Sequence, residues 1–369
     1  MVAALVAVLV SLPGLARLLP SDAASGVSAP ELLALVRAGD SVPWSGYAEV
    51  RGDLDLPDVR ELSGLPATIG ETTRLRTWWR GADEWRADQL TLTGELDVVQ
   101  GRSRDGLRPR RLTWDSERRT ADVVLEEQPV RLPVGADLLP NALGARLARA
   151  DDVVPTRLPD RRVAGRPAVG LRLTAPDPAT TTVAHVDVWA EPTTGLPLRV
   201  EVTAAGSDRP SVTAVVLDLD LAVPPVERTR FQPPPGATFT RDASPDLAAL
   251  ADREARLLLP EALAGLPRDD RVDGLGGGVA TYGTGFTALT VVPLGSGVAG
   301  DVLRRLRRAS PDAVRPGATG AVGTPLLQVL LAVRGDRGYL LAGTVPEALL
   351  QRALDALEAA PPPLRGVPG

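Results

Sequence analysis

The chain has 369 residues, 44% hydrophobic and 24% charged, so it is long enough for two domains with real cores and too apolar for a disordered one. Its 41 basic side chains, all arginine, and 46 acidic ones leave a net charge of −5, so no global basic field draws it to nucleic acid. Cysteine is absent, which excludes disulfides, thiolate catalysis, zinc–thiolate sites and a lipid-modified cysteine. The single histidine, His185, excludes a multi-histidine metal site.

Residues 2–19 are apolar apart from Ser11 and Arg17. Residues 1–25 are therefore expected to be a signal peptide or membrane anchor, with Ser21, Ala23 and Ser25 as small residues for cleavage. The other reading of this stretch is a buried N-terminal helix. Ser28-Ala29-Pro30-Glu31 is a capping box with proline in the first turn. Leu32, Leu33, Leu35 and Val36 follow on one helical face before Gly39 stops it. Trp44-Ser45-Gly46-Tyr47-Ala48-Glu49-Val50 predicts a first strand. The long connection over 52–70 is read as a loop packed on the outside, with a lid over a cavity as the alternative.

From Glu71 to Leu125 short strands succeed one another, separated by turns at Arg80-Gly81-Ala82-Asp83, Thr93-Gly94, Arg104-Asp105-Gly106 and Ser116-Glu117. A meander of this kind builds an antiparallel sheet that must curl or close. Trp78, Trp79, Trp85 and Trp114 fall within it. Adjacent strand residues point to opposite faces, so one of Trp78 and Trp79 belongs to the core and the other meets solvent or a cavity. Pro140 to Ala150 predicts a short helix, and strands resume at Pro167–Thr174. A hairpin then reads clearly, because His185 to Val202 alternates apolar and polar on both sides of Pro192-Thr193-Thr194-Gly195. His185 is read as a strand residue beside Asp187. Thr213–Leu221 is the next strand, and the prolines of Phe231-Gln232-Pro233-Pro234-Pro235-Gly236-Ala237 are expected to end the domain.

Residues 239–266 are expected to form a linker, with a helix near 247–259. A smaller α+β domain over 267–358 follows, built from two ββα units with both helices on one face, and 359–369 is a tail. Its last helix is expected to open on a Thr344-x-x-Glu347 capping box. Gly274-Leu275-Gly276-Gly277-Gly278 lacks a Lys-Ser/Thr ending and is read as a loop rather than a phosphate cradle. Asp218-x-Asp220 and Asp269-Asp270 lack the further carboxylates of a metal loop. Arg304, Arg305, Arg307 and Arg308 form a solvated helix face opposite Val302, Leu303 and Leu306. They are also the candidates for docking an acidic partner segment or anionic lipid headgroups. No Gly-x-Ser-x-Gly elbow or other catalytic constellation is present, so neither an enzyme nor a cofactor is expected.

The motif order carries a family resemblance. Val163-Ala164-Gly165-Arg166-Pro167-Ala168-Val169, then Val188-Trp189 with Thr194-Gly195-Leu196-Pro197-Leu198-Arg199, then Phe231-x-Pro-Pro-Pro-Gly-Ala resemble the MucB/RseB-like extracytoplasmic regulators. They also resemble the wider LolA-like lipoprotein-carrier fold. Trp79-x-Gly81-x-x-x-Trp85-Arg86 fits the same pattern. Tyr282-x-x-Gly285-Phe286 and Gly343-Thr344-Val345-Pro346-Glu347 resemble the family's smaller domain. The resemblance implies a half-open, curved antiparallel sheet with helices against its concave side and an apolar cavity sized for acyl chains. Trp78, Trp79, Trp85, Trp114 and Trp189 are the candidates for that cavity's wall. It implies an exported protein that binds a membrane-anchored anti-sigma factor and senses lipid in envelope stress. The alternative is a lipid or lipoprotein carrier using the same cavity.

Overall fold

The computed structural model describes residues 26–52, 72–102, 109–124, 134–230, 234–241, 257–269, 278–315 and 317–363. The expected leader, the connection from 53 to 70, most of the helix near 247–259 and most of the Gly274–278 cluster lie outside the described residues. Among the described residues no helix is long and apolar enough to cross a membrane.

Helix α1 (Ala29–Arg37) starts as its capping box dictates. Ser28 Oγ accepts from the Glu31 amide at 3.4 Å, and the Glu31 carboxylate accepts from the Ser28 amide at 2.9 Å. Those bonds hold the Glu31 carboxyl below its usual range. Leu32, Leu33 and Val36 are its buried face.

Twelve strands follow: β1 (Trp44–Gly52), β2 (Thr72–Gly81), β3 (Glu84–Leu90), β4 (Glu95–Arg102), β5 (Pro109–Asp115), β6 (Thr120–Val124), β7 (Val154–Val163), β8 (Arg166–Thr174), β9 (Val183–Ala190), β10 (Pro197–Ala204), β11 (Pro210–Asp220) and β12 (Thr238–Arg241). They make one open sheet in the order β12-β6-β5-β4-β3-β2-β1-β11-β10-β9-β8-β7. Every pairing is antiparallel except β12 on β6, which is parallel. Helix α2 (Pro140–Ala148) and the short α3 (Val226–Thr229) complete this part.

Alternation divides the sheet into two chemically different faces. One face carries Ala48, Val50, Leu75, Val186, Val188, Val200 and Val202, all buried in one core with Leu32, Leu33, Val36, Leu139 and Leu143 of the helical segments. Helix α2 sits so close that a Cβ on Gly144 would come 3.1 Å from Val200 Cγ2. The opposite face carries Glu49, Arg74, Arg76, Arg86, Asp88, Asp97, Arg172, Asp187, Arg199 and Glu201, joined in ion pairs. Burying each large aliphatic side chain on the first face stabilises the fold by about 1.5–3 kcal/mol.

The hairpin of β9 and β10 has the form its sequence predicts. Glu191 closes the loop, its carboxylate accepting from the Thr193 and Thr194 amides at 3.0 and 2.7 Å. Gly195 has φ +71°, and a Cβ there would lie 2.5 Å from the Leu35 backbone of α1.

Beyond a two-residue hairpin of β13 (Ala262–Leu263) and β14 (Leu266–Pro267), a six-stranded sheet forms. It comprises β15 (Ala280–Tyr282), β16 (Leu289–Gly295), β17 (Val314–Arg315), β18 (Thr319–Gly323), β19 (Gln328–Arg334) and β20 (Arg337–Gly343), ordered β15-β16-β20-β19-β18-β17. Helix α4 (Ser296–Ala309) follows β16, and α5 (Glu347–Ala359) follows β20.

Four features correct the sequence expectations. The second unit has four strands before its helix, not two. The helices lie on opposite faces: α5 packs with Leu330, Ala332, Tyr339 and Leu341, whereas α4 packs with Leu331, Val333 and Leu340. Neighbouring strand residues alternate sides, so both faces of this sheet are covered. The expected capping box at α5 does not form; Pro346 is the N-cap, and the Thr344 hydroxyl donates instead to the Phe286 carbonyl at 2.7 Å. Strand β12 adds to the first sheet directly after the proline run. It does so as an edge strand, where the missing ladder donors of preceding prolines cost nothing.

Candidate functional site

Trp79 and Trp85 stand opposite each other on β2 and β3, on the helix-covered face. Their rings stack with centroids 5.4 Å apart and planes 5° apart. Trp79 Nε1 donates to the Asp40 carbonyl at 2.5 Å, and Trp85 Nε1 to the Ala82 carbonyl at 3.2 Å. They line a pocket of about 270 Å³ between the sheet and α2, together with Asp40, Asp83, Gln100, Asp137, Arg146 and Arg149. The polar residues at its rim are largely paired. Arg149 donates to the Asp40 carboxylate at 2.5 and 2.7 Å, a bond that raises the guanidinium's proton affinity. Arg146 lies 3.4 Å from Asp137, whose other oxygen accepts from the Val134 amide at 2.8 Å.

Size and lining decide what such a pocket holds. Ligand pockets generally span about 300–1,000 Å³ with mostly apolar walls. This one is smaller and rimmed by ion pairs, because Leu32, Leu33, Val36, Leu139 and Leu143 already fill the space above the sheet.

The other three candidate tryptophans lie on the opposite face. Trp78 is ringed by the guanidiniums of Arg76, Arg86 and Arg228 at 5.3, 5.4 and 5.8 Å. Trp114 is opposite Asp97 in register and so shares the face of the ion pairs. Trp189 lies under the Arg161 guanidinium at 4.0 Å and donates to the Pro159 carbonyl at 3.1 Å. The structure therefore brings together only Trp79 and Trp85 of the five. His185 is on the ion-paired face too, 3.8 Å from Asp187. Burial holds its imidazole below the usual value, more than Asp187 raises it. Arg172 grips the Asp187 carboxylate with two bonds of 2.7 Å.

Arg304, Arg305, Arg307 and Arg308 are exposed on α4, while Leu303 and Leu306 are buried beneath them. Arg304 pairs with Asp301 within the helix. Arg307 and Arg308 occupy its last turn, where cations meet the negative end of the helix dipole.

The residues that sequence reasoning missed are three consecutive threonines before β9. Thr181 Oγ1 donates to the Phe286 carbonyl at 2.9 Å and lies 3.0 Å from the Thr344 carbonyl. Thr182 contributes its amide to the Thr344 carbonyl at 2.9 Å and its hydroxyl to the Leu326 carbonyl at 2.5 Å. Thr180 and Thr287 share a hydroxyl bond of 2.9 Å. Phe286 and Leu326 are buried in the core that packs on the twelve-stranded sheet, so the two sheets share apolar packing as well as hydrogen bonds. Gly285 has φ +64° and passes so near Asp151 that a Cβ would meet its carbonyl at 2.7 Å. The run Thr180-Thr181-Thr182 was the only signal available, and threonine runs are common in strands.

No family model matches the chain, and no curated protein matches it. Among solved structures it is similar to MucB in complex with the periplasmic part of MucA, at 15% identity over 88% of this chain and 96% of that one, with a TM-score of 0.48. It is similar to MucB in the Pseudomonas aeruginosa MucA/MucB complex at 16% identity over 88% and 96%, with a TM-score of 0.47. It is also similar to a LolA superfamily protein from Nitrosomonas europaea at 13% identity over 56% and 99%, with a TM-score of 0.25. These are proteins of the groups that its motifs resemble.

Proposed function

We propose that this chain is an exported binding protein, not an enzyme. In this reading it holds the extracytoplasmic segment of a membrane-anchored anti-sigma factor, in regulation of the envelope-stress type. The observation that carries the reading is the joint. Phe286 and Thr344, inside the two C-terminal motifs, are the acceptors for Thr181 and Thr182. The two C-terminal motif segments thus meet the Thr180–Thr182 run before β9 at one hydrogen-bonded seam, which suits a two-domain frame for a protein partner. The exposed guanidiniums of Arg307 and Arg308 are the proposed docking points for acidic groups of that partner.

Lipid sensing, and the alternative of lipid carriage, would use the space between a curved sheet and its helices. Trp79 and Trp85 are stacked on each other there, and a polar-rimmed pocket of about 270 Å³ favours a small group over acyl chains. The test is mild crosslinking of the full chain in its own membranes, followed by identification of what co-purifies. A membrane-anchored anti-sigma factor is expected, and its yield should fall several-fold in the Arg307→Glu/Arg308→Glu variant. Recovery of no membrane protein would overturn the proposal.

A further inference from the structure

Three carboxylates meet on the ion-paired face where β3 and β4 run side by side. Asp88 stands opposite Asp97 in register, and Asp88, Glu95 and Asp97 each offer an oxygen within 4.8 Å of the others. The side chains of Asp88 and Asp97 are 0% and 4% exposed. Two guanidiniums answer them. Arg86 of β3 donates to both Asp88 oxygens, at 2.5 and 3.0 Å, and to Asp97 Oδ2 at 3.0 Å. Arg76 of β2 donates to Asp88 Oδ2 at 2.9 Å and reaches Glu95 at 3.4 Å. The other groups facing the cluster are Trp78 of β2, Trp114 of β5 opposite Asp97, Tyr47 of β1 beside Arg76, and Arg228 of α3, whose guanidinium lies over the Trp78 ring rather than on a carboxylate.

Three negative groups thus face two bound positive ones. The imbalance falls on Asp97, whose Oδ1 is buried and accepts no hydrogen bond. A desolvated, unpartnered carboxylate oxygen beside a second carboxylate is costly in its ionised form. A divalent cation fits poorly, since calcium or magnesium wants about six or more oxygens and both Asp88 oxygens already accept from guanidiniums. We propose that Asp97 and Asp88 bind one proton between them, so that this strand pair is stabilised by acid and loosened by alkali. The proton comes from water and rests on the Asp97 carboxyl, which becomes a donor where two acceptors had faced each other.

The electrostatics agree with that placement. Burial first and the Asp88 charge second push Asp97 up to about 7, against the weaker pull of Arg86. Since the folded state holds this proton more tightly than the unfolded chain, the stabilisation is full below about pH 4 and lost as pH rises to about 7.

The test compares thermal unfolding of the full chain with that of Asp97→Asn, whose amide imitates the protonated carboxyl. From about pH 5 to about pH 8.5 the variant's melting temperature should climb by several degrees relative to the parent's. A difference that does not change with pH would overturn the proposal. So would a wild-type deficit at alkaline pH that calcium or magnesium alone abolishes, because a metal would then hold the site. Carbon-13 NMR of the wild-type carboxyls reads the same claim without a variant. One aspartate titrating near neutrality is expected, and ordinary titration of every aspartate would contradict it.

Discussion

The two sheets solve the same problem differently. The six-stranded sheet is covered on both faces, so its strands read as continuous apolar runs such as Val329-Leu330-Leu331-Ala332-Val333. Among the described residues, the twelve-stranded sheet packs its helical core against one face and carries only the short α3 on the other. Its strands alternate, and the polar half is an ordered set of arginine–carboxylate pairs such as Arg74–Glu49, Arg86–Asp97 and Arg172–Asp187. The difference shows where a chain keeps chemically responsive groups. Apolar runs buried on both sides carry structure alone, while the ion-paired face holds His185 and the Asp88–Asp97 pair.

Substitutions can break this contrast, and the largest effect is expected in the doubly covered sheet. Leu341→Ala removes a fully buried side chain facing α5 and should cost about 2–5 kcal/mol, read by denaturant unfolding. At the joint, Thr181→Val removes a donor to the Phe286 and Thr344 carbonyls and should cost about 1–2 kcal/mol. Calorimetry should then resolve two transitions where the parent shows one, and a single unchanged transition would show that the seam does not couple the two sheets.

On the ion-paired face the expected change is smaller. Arg172→Gln removes a partly exposed partner of Asp187 and should cost about 1 kcal/mol. Its sharper readout is His185, the only histidine in the chain, whose imidazole signal is unambiguous in NMR. The Arg172 charge is one of the causes holding His185 down, so the variant should titrate at higher pH. The sign follows from linkage. A depressed imidazole favours folding above its unfolded value and withdraws that support as pH falls through its folded value, so Arg172→Gln should lessen the loss on the acid side. Arg308→Ala on α4 should change stability by no more than about 0.5 kcal/mol, leaving any loss of partner capture attributable to docking.

Much of this architecture was legible because it is local. The Ser28–Glu31 box, the alternation through β9 and β10, and Gly195 at positive φ all declare themselves within a few residues. The separation of Trp78 from Trp79 followed from strand geometry alone. Strand β7 did not, because Pro155 and Pro159 argue against a strand, and only its place at the sheet edge makes them tolerable. Thr344 looked like a cap because its spacing to Glu347 is right; the carbonyl that captured its hydroxyl lies far away in sequence, at Phe286. The joint and the Asp88–Asp97 pair share that limitation. Each depends on which strands become neighbours, and periodicity does not specify that.

The most direct measurement is native mass spectrometry of the full chain purified gently from its own envelope, with and without the membrane protein that crosslinking recovers. The account predicts the mass of the chain alone, and a one-to-one mass when the partner's extracytoplasmic segment is added. A chain that retains acyl species and ignores that segment would contradict it, and would make this protein a carrier.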